Sequence, residues 1–318
     1  MIRYLVLIGM TFFLLLFSCK KDRVENLFEV LDVAPDNEIR AIAFPTSDTA
    51  FAVGGKVFDR GIVLSTTDAG VHWKLDSLND KILNGLDFPS AKAGWIAGFN
   101  GYLYQSKPMA PGQWDFFRLP VWNQFVDVCA SENNLLLTIS AVGFVEGIIH
   151  VWNPDLSLDT SFVFPYALTA IDAAPDGILL VCGYGAILRS EDQGQSWIRN
   201  PVDGDFFQDI QFPSAEVGYA VGYAGTILKT TNGGVDWEVL RNGGSLWVPD
   251  QRFKCLYFSS PETGVLAGED GLIWRTHDGG DHWEVLKNAP EYDYLDVVLI
   301  PGGGWLGTRD GKLVKFVD

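Results

Sequence analysis

The chain has few of the side chains that metal sites and thiol chemistry need. Its 318 residues include four histidines, four cysteines and three methionines. The cysteine spacing fits no zinc site, and neither His-Glu-x-x-His nor Gly-x-Ser-x-Gly occurs in the sequence. We therefore predict a protein with no metal, no cofactor and no catalytic residues of these classes.

Positive charge is also scarce. Lysine and arginine number 23 against 40 aspartates and glutamates, which gives a formal net charge of −17. A surface of this sign repels nucleic acid and anionic lipid. We expect neither as a partner.

Long apolar runs are missing after the first 17 residues. Residues 5–17 are too short to span a bilayer but fit the core of a signal peptide. Leu16-Phe17-Ser18-Cys19 resembles a bacterial lipobox, which implies cleavage before Cys19 and lipidation of that cysteine. A plain secretory signal is the alternative.

This interpretation divides the chain into a signal peptide (1–18), a lipidated tether (19–26) and one domain (27–318). It places the protein in the bacterial cell envelope, attached to a membrane through Cys19. Lys20 stands where an inner-membrane retention signal would place aspartate, which favours the outer membrane.

The other three cysteines occupy apolar, strand-like segments. Cys129, Cys182 and Cys255 are an odd number, so buried free thiols are the simpler prediction. One disulfide with one thiol left over is the alternative.

What the chain has in abundance is a repeated frame, Ser/Thr-x-Asp/Asn-x-Gly-x-x-Trp. A short Asp or Asn side chain accepts backbone hydrogen bonds in a tight turn, and the Ser/Thr hydroxyl adds another. Glycine supplies positive φ, and tryptophan anchors the strand that follows. The four copies are Thr66, Asp68, Gly70 and Trp73; Ser190, Asp192, Gly194 and Trp197; Thr230, Asn232, Gly234 and Trp237; and Thr276, Asp278, Gly280 and Trp283.

The spacing of these tryptophans predicts the number of repeats. The gap between Trp73 and Trp197 has room for two more units, one ending near Trp114 and one, over residues 125–164, without a recognisable frame. Each unit reads as four strands, which is one blade of a β-propeller. A seventh repeat after residue 286 lacks its fourth strand, and the run at residues 27–33 can supply it. We predict an all-β, seven-bladed propeller of four-stranded antiparallel blades, closed by this N-terminal strand.

The frame is the Asp-box, or BNR repeat. The chain resembles Asp-box β-propellers, and most closely those of the photosystem II stability/assembly-factor type, whose repeats run Gly-x-x-Gly-x-hydrophobic-x-x-Ser/Thr-x-Asp-Gly-Gly-x-x-Trp. That resemblance implies a non-catalytic scaffold that holds a protein partner during assembly of a membrane complex. Because this chain is strongly acidic, the basic patch described for plant and cyanobacterial members is not carried over.

In such propellers the Asp-boxes lie on the face opposite the usual ligand face. The ligand face is built from the loops between blades and the hairpins between second and third strands. These loops are rich in aromatic and acidic residues, and exposed aromatic residues favour a recognition surface. The candidates for this face are Trp122, Trp247, Phe99, Tyr184, Tyr223, Phe206, Tyr292, Asp270 and Arg309.

Three functions remain open. The first is a lipid-anchored scaffold or assembly factor, expected to be a monomer, that binds an envelope protein. The second is a glycan-binding or glycan-cleaving propeller, since Asp-box propellers include sialidases. For sialidase chemistry, Arg40, Arg252 and Arg309 fall near the ligand face and Tyr292 or Tyr294 could act as nucleophile, but no tyrosine is recognisably paired with a glutamate. The third is a structural envelope spacer.

Overall fold

The computed structural model describes residues 27–107, 112–131, 135–200, 202 and 204–317. The predicted signal peptide, lipidation site and tether lie outside these residues.

The described residues form seven four-stranded antiparallel sheets. Blade seven contains β26, β27 and β28, with β1 beside β28; blades one to six follow in chain order from β2 to β25. The strands are β1 Phe28–Asp32, β2 Glu38–Ala43, β3 Ala50–Lys56, β4 Arg60–Thr66, β5 Lys74–Asn79, β6 Leu83–Ser90, β7 Ala93–Gly98, β8 Tyr102–Ser106, β9 Trp114–Arg118, β10 Phe125–Ala130, β11 Leu136–Val142, β12 Glu146–Trp152, β13 Leu158–Phe164, β14 Leu168–Ala173, β15 Leu179–Gly183, β16 Ala186–Ser190, β17 Ile198–Asn200, β18 Phe207–Gln211, β19 Gly218–Gly222, β20 Ile227–Thr230, β21 Glu238–Arg241, β22 Phe253–Phe258, β23 Gly264–Gly268, β24 Ile273–Thr276, β25 Glu284–Val285, β26 Tyr294–Ile300, β27 Gly303–Thr308 and β28 Lys312–Val317.

Helical structure in the described residues is limited to a single 3-10 turn, Phe99–Gly101. Among these residues we find no helix with the length and apolar character needed to cross a membrane.

The core lies between neighbouring blades. Phe125, Phe207 and Tyr294 open the first strands of their blades and are fully buried, because they fill the space between adjacent sheets. Cys129, Cys182 and Cys255 are buried in strands as free thiols, as the simpler prediction held.

The N-terminal strand closes the ring. Phe28 pairs with Phe316 and Asp32 pairs with Lys312 in an antiparallel ladder between β1 and β28. Blade seven therefore takes its fourth strand from the N-terminal end of the domain and its other three from the C-terminal end, which confirms the predicted closure.

The Asp-box is a hydrogen-bonded turn between third and fourth strands. Thr66 Oγ1 donates to Asp68 Oδ1 at 2.8 Å and accepts from the Gly70 amide at 3.1 Å. Asp68 Oδ1 also accepts from the His72 amide at 2.9 Å. The hydroxyl is thus the centre of the turn, a larger role than the sequence suggested.

Glycine is required at this position because of both φ and space. Gly70 has φ of 84°, and a Cβ there would lie 2.4 Å from Trp305 Cζ2 in blade seven. Each box therefore rests on the preceding blade, and Gly70 allows the close approach.

Candidate functional site

Two ends of the propeller can be distinguished by topology. One end, here called the box face, carries the turns between third and fourth strands. The other, the loop face, carries the loops between blades and the hairpins between second and third strands. Every predicted ligand-face residue lies in one of these loops or hairpins.

All seven first strands carry a bulge at the same place. The register shifts between the first and third residues in six of these strands, as between Phe253 and Cys255, and one residue later in β2, between Ile39 and Ala41. A bulge re-aims a side chain, and here the residue between these two positions lines the channel at the loop face. These seven residues are Arg40, Asn84, Val126, Thr169, Gln208, Lys254 and Leu295.

Below this layer the channel contains five aspartates: Asp87, Asp127, Asp172, Asp209 and Asp296. Each connects its blade to the next one. Asp209 Oδ2 accepts from the Leu256 amide at 2.8 Å, and Asp296 Oδ2 accepts from the Ile42 amide at 2.6 Å. The carboxyl groups therefore bridge the first strands of adjacent blades by accepting hydrogen bonds from backbone amides.

Burial sets the protonation of this ring. Desolvation raises the pKa of Asp296 to about 8, and the negative charge of Asp209 adds to the shift. Desolvation likewise raises the pKa of Asp172 to about 7 and that of Asp209 to about 6. All five side chains are partly buried beside the channel, and burial also raises the pKa of Asp87 and Asp127.

The mouth of the channel at the loop face is a cavity of about 440 Å³. Its positive side chains have acidic partners. Arg40 Nη2 lies 2.6 Å from Glu38, Lys254 Nζ lies 3.4 Å from Glu269, and Arg309 Nε lies 3.4 Å from Asp293. The predicted acidic character of this face is therefore moderated by cations at its centre.

Aromatic side chains cluster beside the mouth. Phe206 makes ring contacts with Phe144 at 5.6 Å and with Tyr184 at 5.7 Å between centroids. Phe99 contacts Phe58 at 5.3 Å. Phe206 and Tyr184, two predicted candidates from different segments, are thus brought together, while Phe99 and Phe58 form a separate pair.

The two mid-loop tryptophans differ. Trp122 is 77% exposed, but the Arg118 guanidinium lies 4.4 Å from its ring centroid. Trp247 is 94% exposed and its neighbour Leu246 is 98% exposed. Trp122 has a cation–π partner within the chain, whereas the Leu246–Trp247 tip projects into solvent.

The loop that carries this tip is held in place. The Arg241 guanidinium donates hydrogen bonds to the carbonyl oxygens of Gly225 and Pro249. The Gly243 amide donates to Thr226 Oγ1 at 3.2 Å. The tip is therefore an exposed apolar element on an anchored base.

The remaining candidates are polar or partly covered. Tyr223 lies under Lys254, whose Nζ is 4.3 Å from the ring centroid. Tyr292 is half-buried, and its backbone carbonyl oxygen accepts a hydrogen bond from the Gly271 amide. Asp270 is exposed, with φ of 56°. Arg309 borders the mouth.

Two residues of this face were not predicted. Phe58 needed only the hairpin rule applied to blade one, and Leu246 precedes Trp247 in the same loop between blades. The aspartate ring had a signal too, since aspartate recurs at the third or fifth residue of five first strands. The bracing by Arg241 had none, because its acceptors are backbone carbonyls.

A sialidase-type site is not assembled by the described residues. Arg252 pairs with Glu269 at 3.0 Å, while Arg40 and Arg309 pair with other acids. Tyr294 is fully buried and its hydroxyl donates to the Pro290 carbonyl at 2.7 Å. Within the described part of the chain, no group of three or more His, Cys, Asp or Glu side chains has metal-binding geometry.

Comparison with known proteins supports the resemblance. A model of the family described as photosynthesis system II assembly factor YCF48 matches residues 201–293. This match confirms the predicted resemblance to assembly-factor propellers with BNR-type repeats. No curated protein matches the chain.

Solved structures share the fold over almost the whole chain. YCF48 bound to D1 peptide is 17% identical, with a TM-score of 0.70, covering 92% of this chain and 97% of that chain. YCF48 from Cyanidioschyzon merolae is 14% identical, with a TM-score of 0.67 and coverage of 92% and 98%. A virginiamycin B lyase from Staphylococcus aureus is 12% identical, with a TM-score of 0.72 and coverage of 92% and 99%. At these identities the likeness establishes the propeller fold.

Proposed function

We propose that this protein is a non-catalytic, lipid-anchored scaffold that binds a protein partner through its loop face at the bacterial cell envelope. The observation that carries the proposal is the Leu246–Trp247 tip, two almost fully exposed apolar side chains on a loop held by Arg241. A large aromatic side chain on an ordered base loses little entropy when it binds, which is why such residues dominate protein interfaces.

The comparisons support a protein partner. The matching family model describes an assembly factor, and one structural neighbour is a propeller bound to a peptide. Both describe a protein partner, which supports a protein-binding role for this chain. The separated arginines and the buried Tyr294 make a glycosidase the weaker proposal.

The strand order gives the anchored protein an orientation. β1 begins at the box face with Phe28 and ends at the loop face with Asp32, where the chain enters blade one. A lipid on Cys19 and a tether over residues 20–26 would therefore attach to the box face. The loop face would point away from the anchoring membrane, free to meet a partner.

The test is a crosslinked pull-down from detergent-solubilised envelope with the full-length protein. Its loop variant is Leu246→Ser/Trp247→Ser, and its matched control is Val71→Ser/Val235→Ser, which removes two exposed apolar residues from Asp-boxes on the other face. We expect one protein to be retained by the wild type and the control and lost with the loop variant.

Two results contradict the proposal. If the loop variant retains the same protein as the wild type, the loop face is not the binding surface. If no protein is retained but the purified chain binds polysaccharide, the glycan-binding alternative replaces the scaffold. Lipidation is tested separately, by replacing Cys19 with alanine and following membrane association.

A further inference from the structure

Blade three is the one blade among the first six whose turn between third and fourth strands departs completely from the box. Thr160 pairs with Val151 just as Lys74 pairs with Ser65 in blade one. Asp159 therefore holds the sequence position of the box tryptophan. Its exposed carboxylate accepts from Gln195 Nε2 of blade four at 2.9 Å and does not line the interface with blade two.

The other blades show what this position normally covers. The box tryptophan packs on a second-strand residue of the preceding blade. Trp73 lies 5.7 Å from Trp305, and Trp114 lies 5.5 Å from Phe51, measured between ring centroids.

In blade two the equivalent second-strand residue is Trp95. It pairs with Asp87 in the first strand, as Trp305 pairs with Val298 in blade seven. Because blade three supplies no box tryptophan, Trp95 has no such cover.

A cleft of about 530 Å³ lies at this place, between blades two and three on the box face. Trp95 and Phe117 line it from blade two, and Leu135 and Leu156 line it from blade three. All four side chains are only partly buried. Trp152 of blade three does not fill the cleft, because its side chain is buried and its Nε1 donates a hydrogen bond to Thr138 Oγ1.

We propose that this cleft is a binding site for an aromatic side chain, tryptophan above all, presented by a partner protein in place of the missing box tryptophan. The occupant follows from the repeat itself, since five blades place a partly buried tryptophan at the corresponding position. The cleft combines apolar side chains, Trp95 among them, with polar ones such as Gln105 and Asn153, a mixture that suits an indole with its single N–H donor. Ring stacking on Trp95 would contribute beyond the area buried. This site lies on the face opposite the Leu246–Trp247 tip, so it is independent of the proposed function.

The experiment uses full-length protein in detergent and 5-fluoro-N-acetyl-tryptophanamide as the probe, observed by ¹⁹F NMR. Two variants block the cleft: Asp159→Trp restores the box tryptophan, and Ala93→Trp adds an indole at the rim. Val235→Trp adds an exposed tryptophan to another box and serves as the control. We expect saturable broadening with the wild type and the control, and at least fivefold weaker binding to both blocked variants.

A second measurement does not depend on the probe. If the cleft is a vacant tryptophan position, Asp159→Trp fills it and raises the melting temperature, while Val235→Trp does not. The proposal is overturned if the probe binds blocked variants as well as the wild type, if it shows no saturable binding to the wild type, or if Asp159→Trp lowers the melting temperature as an overpacked substitution would.

Discussion

The aspartate ring predicts a defined loss of stability when one carboxylate is removed. Asp209 Oδ1 accepts from the Ile210 amide and Oδ2 from the Leu256 amide, both at 2.8 Å. Asp209→Ala leaves both donors without a protein partner at the junction of blades five and six. An unsatisfied buried donor costs about 1–3 kcal/mol, and channel water recovers part of this, so we expect a total of about 2–3 kcal/mol. For a domain of this size the melting temperature falls by roughly 3–5 °C.

The same substitution changes how stability depends on pH. Burial raises the pKa of Asp209 to about 6 in the folded protein, from an ordinary value of 3.8. A carboxyl group with a raised folded pKa contributes stability that is present at low pH and is lost as the pH rises through about 6. Between pH 5 and pH 8 this amounts to about 1 kcal/mol, so Asp209→Ala costs more at pH 5 than at pH 8.

The assay is urea unfolding followed by circular dichroism at both pH values, with Asp281→Ala as a control at an exposed position on the box face. The reasoning is refuted if Asp209→Ala costs no more than the control. It is also refuted if its cost is the same at the two pH values, because the carboxyl group would then titrate normally.

Three further predictions concern the boxes and the ring closure. Gly70→Ala should lower the free energy of unfolding by about 2–4 kcal/mol, because φ is 84° and a Cβ would lie 2.4 Å from a tryptophan of blade seven. Ala69→Gly, where φ is 58°, should raise it by about 0.5 kcal/mol. Thermal unfolding measures both changes. Phe28→Ala should lower the free energy of unfolding by about 3 kcal/mol and Val30→Ala by under 0.5 kcal/mol, since Phe28 is buried and Val30 is exposed. Equal losses of stability in urea unfolding would contradict the closure of the ring by β1. Hydrogen bonds from a histidine backbone amide and ring lower the pKa of Asp278 to about 2, so its contribution to folding stability is lost as the pH falls from about 4 through 2. Asp278→Asn introduces the residue that blade five carries there and should make the decline of stability in this pH range less steep. An unchanged decline, measured by unfolding at several pH values, would refute the assignment.

The sequence predicted most of the fold because the repeat makes local chemistry visible. Each box combines a hydroxyl, a short acid or amide, a glycine and a tryptophan within eight residues, so its hydrogen bonds close locally. Alternating apolar residues identify the first strands, and the missing fourth strand of blade seven pointed to residues 27–33. The seven blades and their closure follow from counting these units.

Most of the loop-face candidates were also accessible from the sequence, since hairpin positions in a repeat can be read by alignment. The sequence could not separate Trp122 from Trp247. Both stand mid-loop among polar residues, and only the tertiary structure shows that Arg118 covers one while Arg241 braces the loop of the other.

The sequence by itself determined the propeller, its seven blades, the box turns and the position of the closing strand, because those depend on interactions between residues close along the chain or on a regular period. The tertiary structure alone decided which side chains share the channel and the loop face. The aspartate ring joins residues about 40 positions apart or more, as Asp172 and Phe212 show. The cleft between blades two and three lies beside Trp95 of blade two, where blade three has no box tryptophan. Contacts between blades depend on how the sheets pack around the axis, and no local pattern specifies them.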